Sequence, residues 1–419
     1  MKTKSIFLVF IFLTLSNSIF SQTDIKLTQA VRSEVIEKLS KMLVDFYVYP
    51  EKAKKMSDLL KANLNNGKYD KIDNFSQFGT TLERDLFQVV KDRHLEIYYD
   101  PAGVENERNN RVVSETEIEN NLLKQKQAIS KTNFGFSRLE ILSGNIGYLK
   151  LDRMERLDWS GETAVMAMNF LSNTDYIIID LRDNTGGSIK MIPFLASYFY
   201  NSSDDILIFE KQIPCENTTI QYRTLPYLPG KRMAKTPLYI LIGRNTISAG
   251  ENLAYTLQKL GRAIVVGEKT VFAGAHILRN SRIVNDYYLV NIPEMLCVNP
   301  ITKTDWEGIG VIPDIDTKGK DALETLYNQL LEKQLSQIND ENLLNQMGYS
   351  FLNTDKIELA ILTFKETVRK FPQSSNAYDS LAEAYMLAGN KELAIKNYEK
   401  SLELNPQNTN AVEQLKKLK

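Results

Sequence analysis

Cysteine and histidine are nearly absent. The 419 residues hold two cysteines, Cys215 and Cys297, and two histidines, His94 and His276. Two cysteines allow one disulfide at most, and their spacing does not show whether it forms. Neither stands near the N-terminus, so no cysteine there can carry a lipid. Two histidines leave only two side chains that ordinarily change charge near neutral pH. Long apolar runs are also missing. The one at Ile6–Leu15 is too short for a comfortable transmembrane helix, and no later segment approaches the length needed. An excess of charge is lacking too: 51 Lys and Arg stand against 52 Asp and Glu, for a net charge of −1. Without a basic field, nucleic acid is not an expected partner.

What is present divides the chain into parts. Lys2 and Lys4 precede the apolar run, and Ser16, Ser18 and Ser21 follow it. This is the pattern of a secretory leader, residues 1–21, with cleavage expected after Ser21 and a periplasmic or extracellular destination. Val31, Val35, Leu39, Leu43 and Phe46 recur at helical spacing; Pro50 opens a second helix; Asp73 or Asn74 caps a third carrying Phe78, Leu82, Leu86 and Val90. Residues 22–100 therefore read as a small helical domain, ending in a short strand that contains His94. Residues 101–133 are polar and read as a linker with one helix near Thr116–Ile129.

From 134 to 337 the pattern changes. Strand-like runs at Arg138–Leu142, Ile146–Leu151, Tyr176–Leu181, Pro237–Gly243 and Ala263–Gly267 alternate, after the first pair, with helical stretches. Apolar strands separated by helices predict a mostly parallel sheet covered by helices. Leu289–Val298 reads as β-hairpin material, and a helix is expected over Asp321–Leu335. Residues 338–419 repeat. Pro372 and Pro406 lie 34 residues apart, the tetratricopeptide period. Leu344/Tyr378, Gly348/Ala382, Phe351/Tyr385 and Phe364/Tyr398 recur at the same offset. Two helical hairpins, 341–374 and 375–408, and a capping helix follow, a surface suited to a protein partner.

The stretch that carries chemistry is Asn245–His276. Ser248 falls where a buried strand ends and a helix begins, a place where open α/β sheets bind ligands. The plainer reading of Ser248-Ala-Gly-Glu251 is a capping box. Upstream, Gly186-Gly187 follows the Tyr176–Leu181 strand and reads as a tight β–α turn that lets backbone N–H groups approach a ligand.

Four segments, VVKDRHLEI, IIIDLRDNTGGS, TISAGENLAYTLQKLGRAIVVGEKT with AGAH, and NPITKTDWEGIGVIPDI, occur in the order seen in the C-terminal processing (tail-specific) serine peptidases. The chain resembles that family over roughly Leu27–Leu335, nearest to the branch similar to interphotoreceptor retinoid-binding protein and the tricorn protease core. The resemblance implies an α/β class chain: an N-terminal helical bundle, a mixed α/β core of the ClpP/crotonase type, and an all-α repeat tail. It implies a peptidase with Ser248 as nucleophile, acting on peptide or protein substrates without metal or cofactor. Family members with a serine–lysine dyad carry their lysine where this chain has Ala273, Gly274 and Ala275, and Lys269 stands too early. The tricorn-like branch uses instead a histidine matching His94 as general base and a glutamate matching Glu307. Its auxiliary serine is Arg93 here. Gly187 and Ala249 N–H groups are the candidates for an oxyanion hole, and Gly186 and His276 for substrate contacts, His276 also as a second base. The interval from Leu95 to Asn145 is too short for the PDZ domain that many members carry. A reading of a different class is a non-catalytic module that binds an apolar ligand or a protein, since retinoid-binding relatives use the same fold.

Overall fold

Apolar residues at helical spacing form α1 (Gln29–Phe46), α2 (Pro50–Asn65) and α3 (Phe75–Val89) in the computed structural model, which describes residues 26–109, 115–271 and 274–419. The leader expected over residues 1–21 lies outside them. Thr28 and Asn74 cap α1 and α3, and Pro50 occupies the first turn of α2. Val35, Leu39, Leu43, Met56, Leu60, Phe78, Leu82 and Leu86 are all fully buried in one cluster. The helices do not close that cluster alone. β1 (Glu96–Tyr99) pairs antiparallel with Tyr288–Asn291, and Val284, Tyr288 and Val290 complete the apolar centre. His94 sits in the turn before β1 rather than within a strand. The expected linker holds two helices, α4 (Pro101–Arg108) and α5 (Glu115–Ser130). α4 was not anticipated, although Asp100 caps it and Pro101 opens it.

The core follows as β2 (Phe136–Leu142), β3 (Ile146–Leu151), α6 (Leu157–Leu171), β4 (Tyr176–Asp180), α7 (Met191–Ser197), β5 (Leu207–Ile213), β6 (Thr218–Arg223), β7 (Leu238–Ile242), α8 (Ala249–Lys259) and β8 (Ala263–Gly267). Short strands come next: β9 (His276–Ile277), β10 (Arg282–Ile283), β11 (Tyr288–Asn291), β12 (Met295–Val298) and β13 (Ile315–Asp316). The main sheet runs β13-β8-β7-β4-β3-β2, parallel except for β2. Alternation along its strands separates two faces. Leu149, Ile177, Ile179, Ile240 and Val265 point into the large core beneath α6, α7 and α8, while Tyr148, Ile178, Leu241 and Val266 point the other way.

The hairpin expected at Leu289–Val298 does not form. β11 joins β1 and β10, whereas β12 lies between β5 and β9 in a four-stranded sheet closed by β6. Pro293 falls between the two strands and helps to part them. The β5–β6 hairpin turns through Pro214 and a left-handed Asn217 (φ 49°), and falls outside the strands expected from the sequence. Both thiols are free: Cys215 is exposed and Cys297 is buried in the large core. Among the described residues no helix is long and apolar enough to cross a membrane.

α9 (Ala322–Gln337) covers the second face of the main sheet with Ala322, Leu326 and Leu330. Beyond it, α10 (Glu341–Leu352), α11 (Ile357–Lys370), α12 (Ser375–Leu387), α13 (Lys391–Leu404) and α14 (Thr409–Leu418) form the repeats. Leu331 and Leu335, both 0% exposed, belong to the core of the repeats, with Leu344, Phe351 and Phe364. Lys370 Nζ also bonds Ser336 O at 2.6 Å and Ile338 O at 2.5 Å. Residues 340–419 expressed without α9 should therefore melt at a lower temperature than the same repeats in the intact chain. Circular dichroism of that fragment showing an equally stable, monomeric transition would remove α9 from their core.

Candidate active site

β4 and β7 are adjacent parallel strands, so the loops leaving their carboxyl ends open on the same edge of the sheet. One carries Gly186-Gly187 and the other Ser248. Asn184, 0% exposed, joins them. Its Nδ2 donates to Leu151 O at 2.7 Å, its Oδ1 accepts from Gly186 N–H at 2.9 Å, and its carbonyl accepts from Ile247 N–H at 3.0 Å. Thr246 Oγ1 adds a bond to Leu181 O at 2.7 Å.

Ser248 is the N-cap of α8, and the capping box is present, with Glu251 Oε2 accepting from Ser248 N–H at 3.0 Å. An ordinary cap residue has extended backbone. Ser248 instead has φ 54° and ψ −118°. Strain of this kind costs about 1–3 kcal/mol and persists only where the surroundings enforce it. A serine on a sharp, strained strand-to-helix turn is how α/β hydrolases expose a nucleophile. The surroundings are tight. A Cβ on Gly186 (φ 82°) would lie 2.7 Å from Ser248 Cβ, and one on Gly274 would lie 2.6 Å from Ser248 N and Cα. The segment where a dyad lysine would stand thus runs against the serine backbone with no room for a side chain at 274. Lys269 is exposed. Gly187 is held by Met154, which bonds Gly186 O (2.8 Å) and Ser188 N–H (2.6 Å) on either side of it. No described residue accepts a hydrogen bond from Gly187 N–H or Ala249 N–H.

Glu251 supports the serine from below. It is buried, accepts from Ser248 N–H and from Thr270 Oγ1 (2.5 Å), and burial pushes its carboxyl up to about 8. Thr270 Oγ1 in turn accepts from Val311 N–H at 2.8 Å.

The second part of the site lies beyond Gly274. Ala275 N–H and His276 N–H point at Glu307 Oε2, at 2.9 and 3.4 Å. His276 Nδ1 donates to Asp92 Oδ2 at 2.6 Å, since an ionised carboxylate only accepts. Tyr47 OH reaches the same oxygen at 3.0 Å, and Tyr49 OH bonds Asp305. Asp92 also accepts from His94 N–H at 2.9 Å, and its Oδ1 stands 3.5 Å from His94 Nδ1. Burial alone would raise the Asp92 carboxyl, but the bonds from His276 and His94 hold it well below the usual range. For His94, burial opposes the charged ring, yet the Asp92 and Glu307 carboxylates outweigh it and raise its pKa.

Two expectations change. Glu307 bonds the backbone at 275 and 276, not the His94 imidazole; Asp92 is the carboxylate beside that ring. His276 is 3% exposed and closed off from a peptide, because its ring fills the space between Asp92 and Asp305. Ser248, Gly186, Gly187 and Ala249 share one corner. His94, His276 and Glu307 share another, with Gly274–His276 between. Ser248 and His94 are not hydrogen-bonded to each other. Asn184, Asp92 and Tyr47 were missed. Asp92 stands two residues before His94, but only a contact across 184 residues, to His276, reveals its place.

An α/β sheet whose parallel strands present a strained serine at a helix N-terminus defines the class. Sequence comparison makes it specific. Peptidase family S41 matches residues 145–317, the N-terminal domain of peptidase S41 in eukaryotic IRBP matches 21–134, and a tetratricopeptide repeat matches 375–408. Carboxyl-terminal-processing peptidase 1 of Arabidopsis thaliana is 26% identical over 154 residues, 36% of this chain and 30% of the relative. The carboxyl-terminal-processing protease of Picosynechococcus is 28% identical over 143 residues, 33% of this chain and 32% of its own. The chain thus spans about a third of the length of these curated relatives. Among solved structures, the photosystem II D1 C-terminal processing protease aligns with 24% identity and a TM-score of 0.34, covering 41% of this chain and 42% of its own. Residues 145–317 thus match peptidase family S41 and residues 21–134 its N-terminal domain, with a tetratricopeptide repeat at 375–408.

Glu251 makes the site sensitive to pH. Its folded pKa lies above the unfolded value of 4.5, so the native state holds the extra proton between those limits and stability falls as pH rises from about 4.5 to about 8. Glu251→Gln cannot ionise and should flatten that part of the Tm–pH profile. An unchanged slope in calorimetry at pH 5, 6.5 and 8 would show that Glu251 is not its source.

Proposed function

We propose that this chain is an exported serine peptidase that hydrolyses peptide bonds through an acyl-enzyme on Ser248. The observation that carries the reading is the strained φ/ψ of Ser248, held in place by Gly186 and Gly274 at the head of α8. Export rests on the lysines and apolar run at the N-terminus, with the periplasm or the extracellular space as destination. Protein or peptide is the substrate, and the repeats offer a surface for a protein partner.

In this mechanism neutral His94 takes the proton from Ser248 Oγ as the oxygen attacks the scissile carbonyl. The tetrahedral oxyanion is met by Gly187 and Ala249 N–H, two donors without a competing partner among the described residues, beside the positive end of α8. His94 then passes the proton to the leaving amine, and water enters by the same route in reverse to release the acyl group. Asp92 holds the imidazole and stabilises its charged form, the part that the resemblance alone assigned to Glu307. Glu307 fixes the backbone of Ala275 and His276 and adds negative potential. The hydrogen bond from Ser248 to His94 forms in this mechanism as substrate binds.

The test is labelling by a fluorophosphonate and hydrolysis of casein by wild type and Ser248→Ala. Wild type should label and cleave. Ser248→Ala should do neither while losing only a cap's worth of stability, about 0.5–2 kcal/mol. Equal cleavage by both proteins would reject Ser248, and a wild type that neither labels nor cleaves would favour a non-catalytic binding module.

Asp92 has its own signature. Hydrolysis needs neutral His94, so the raised pKa places the acid limb of kcat/KM above the ordinary imidazole value of about 6.5. Asp92→Asn removes the nearest carboxylate and leaves burial, which lowers the pKa. The limb should then move to lower pH while kcat falls. A lower kcat with an unmoved limb would make Asp92 merely structural.

A further inference from the structure

A cleft of about 680 Å³ opens beside the glycine turn, lined by Arg156, Leu157, Asp158, Ser188 and Lys190. Its two walls are the segments joined at Gly187. One follows β3 through Met154, and the other continues from Gly187 into Ser188 and Lys190. Ser188 is two residues from Gly186, whose Cα lies against Ser248, so the cleft begins within about 7 Å of chain from the turn that contacts the serine. A peptide lying across Ser248 with its carbonyl at Gly187 would have a neighbouring residue over this opening.

The charges in the cleft are unequal. Arg156 is held by Asp158 through two bonds, at 3.1 and 2.9 Å, and lies over the Trp159 ring at 4.9 Å. Its charge is met within the wall. Lys190 is exposed, and among the described residues no carboxylate pairs with it. Two cations and one anion leave one positive charge over the apolar floor of Leu157.

We propose that this cleft is a substrate subsite in which Lys190 receives a carboxylate of the bound peptide, either an acidic side chain or a free C-terminus. The subsite deepens the peptidase reading where cleavage is concerned, but its binding prediction stands apart from chemistry. An exposed ion pair gives about two- to fivefold in affinity, and screening by salt removes most of it.

The experiment uses the full chain as Ser248→Ala, with and without Lys190→Glu. Fluorescein-labelled octapeptides carry one Glu, Gln or Lys at successive positions, each with a free or amidated C-terminus, and Kd is read by polarisation at 50 and 500 mM NaCl. The expected result is a two- to fivefold preference for a carboxylate at low salt, lost at high salt and reversed toward the Lys peptides in Lys190→Glu. Preference that follows the internal Glu assigns a side-chain subsite, and preference that follows the free terminus assigns a C-terminal one. An identical charge preference in both proteins, or no measurable binding of any carboxylate-bearing peptide, overturns the proposal. Fluorophosphonate labelling of the Lys190→Glu chain with Ser248 intact separates the two ideas. Absent labelling in both Lys190 forms with a Lys190-dependent Kd removes the peptidase reading and keeps the subsite.

Discussion

The site depends on one buried residue, Asn184, which reaches three consecutive sheet neighbours: its carboxamide bonds Leu151 at the end of β3 and Gly186 after β4, and its main-chain carbonyl accepts from Ile247 N–H after β7. Parallel pairing of β4 and β7 brings the two loops to the same edge, but pairing alone leaves them free to splay. With Asn184 in place, the glycine turn is pressed against Ser248 closely enough that no side chain fits between, and the backbone strain at the serine is sustained. Each polar atom of the side chain is satisfied, as a group with 0% exposure requires. Aspartate there could not donate to Leu151 O, and alanine would leave Gly186 N–H and Leu151 O without partners.

The other half of the site depends on chain closure over a long distance. The N-terminal helices are not a self-contained domain, because their core is finished by β11 and by Val284. That same closure sets Asp92 and His94 against His276. The imidazoles of the chain thus meet through one carboxylate, although they are far apart in sequence. Tyr47, at the end of α1, donates to that carboxylate as well, so the packing of the first helix is linked directly to the carboxylate beside the His94 ring.

Much of this was legible in the residues. Local spacing and turn residues placed α1, α2, α3, five of the six strands of the main sheet (all but β13) and the repeats. The capping box at Ser248 was also legible, and it is present. What the letters could not show is that this cap is strained, because that follows from Gly186 and Gly274 arriving from elsewhere. The exchange of Glu307 for Asp92 beside His94 has the same origin. Motif order points to Glu307 alone, and only the folded chain shows Asp92 beside the ring. The hairpin expected at Leu289–Val298 failed for a related reason: two adjacent strands each had a better partner from a distant segment.

α9 has two apolar faces, one on the sheet and one in the repeats, and its first turn is tied to the end of β4 through Arg182 and Asp321 at 2.7 Å. At 16 residues it is about 24 Å of continuous helix. A helix that is core to two bodies couples them: Leu326 and Leu330 cannot leave the sheet without drawing Leu331 and Leu335 from the repeats, so whatever loosens the tail also loosens the back of the sheet whose edge holds Ser248.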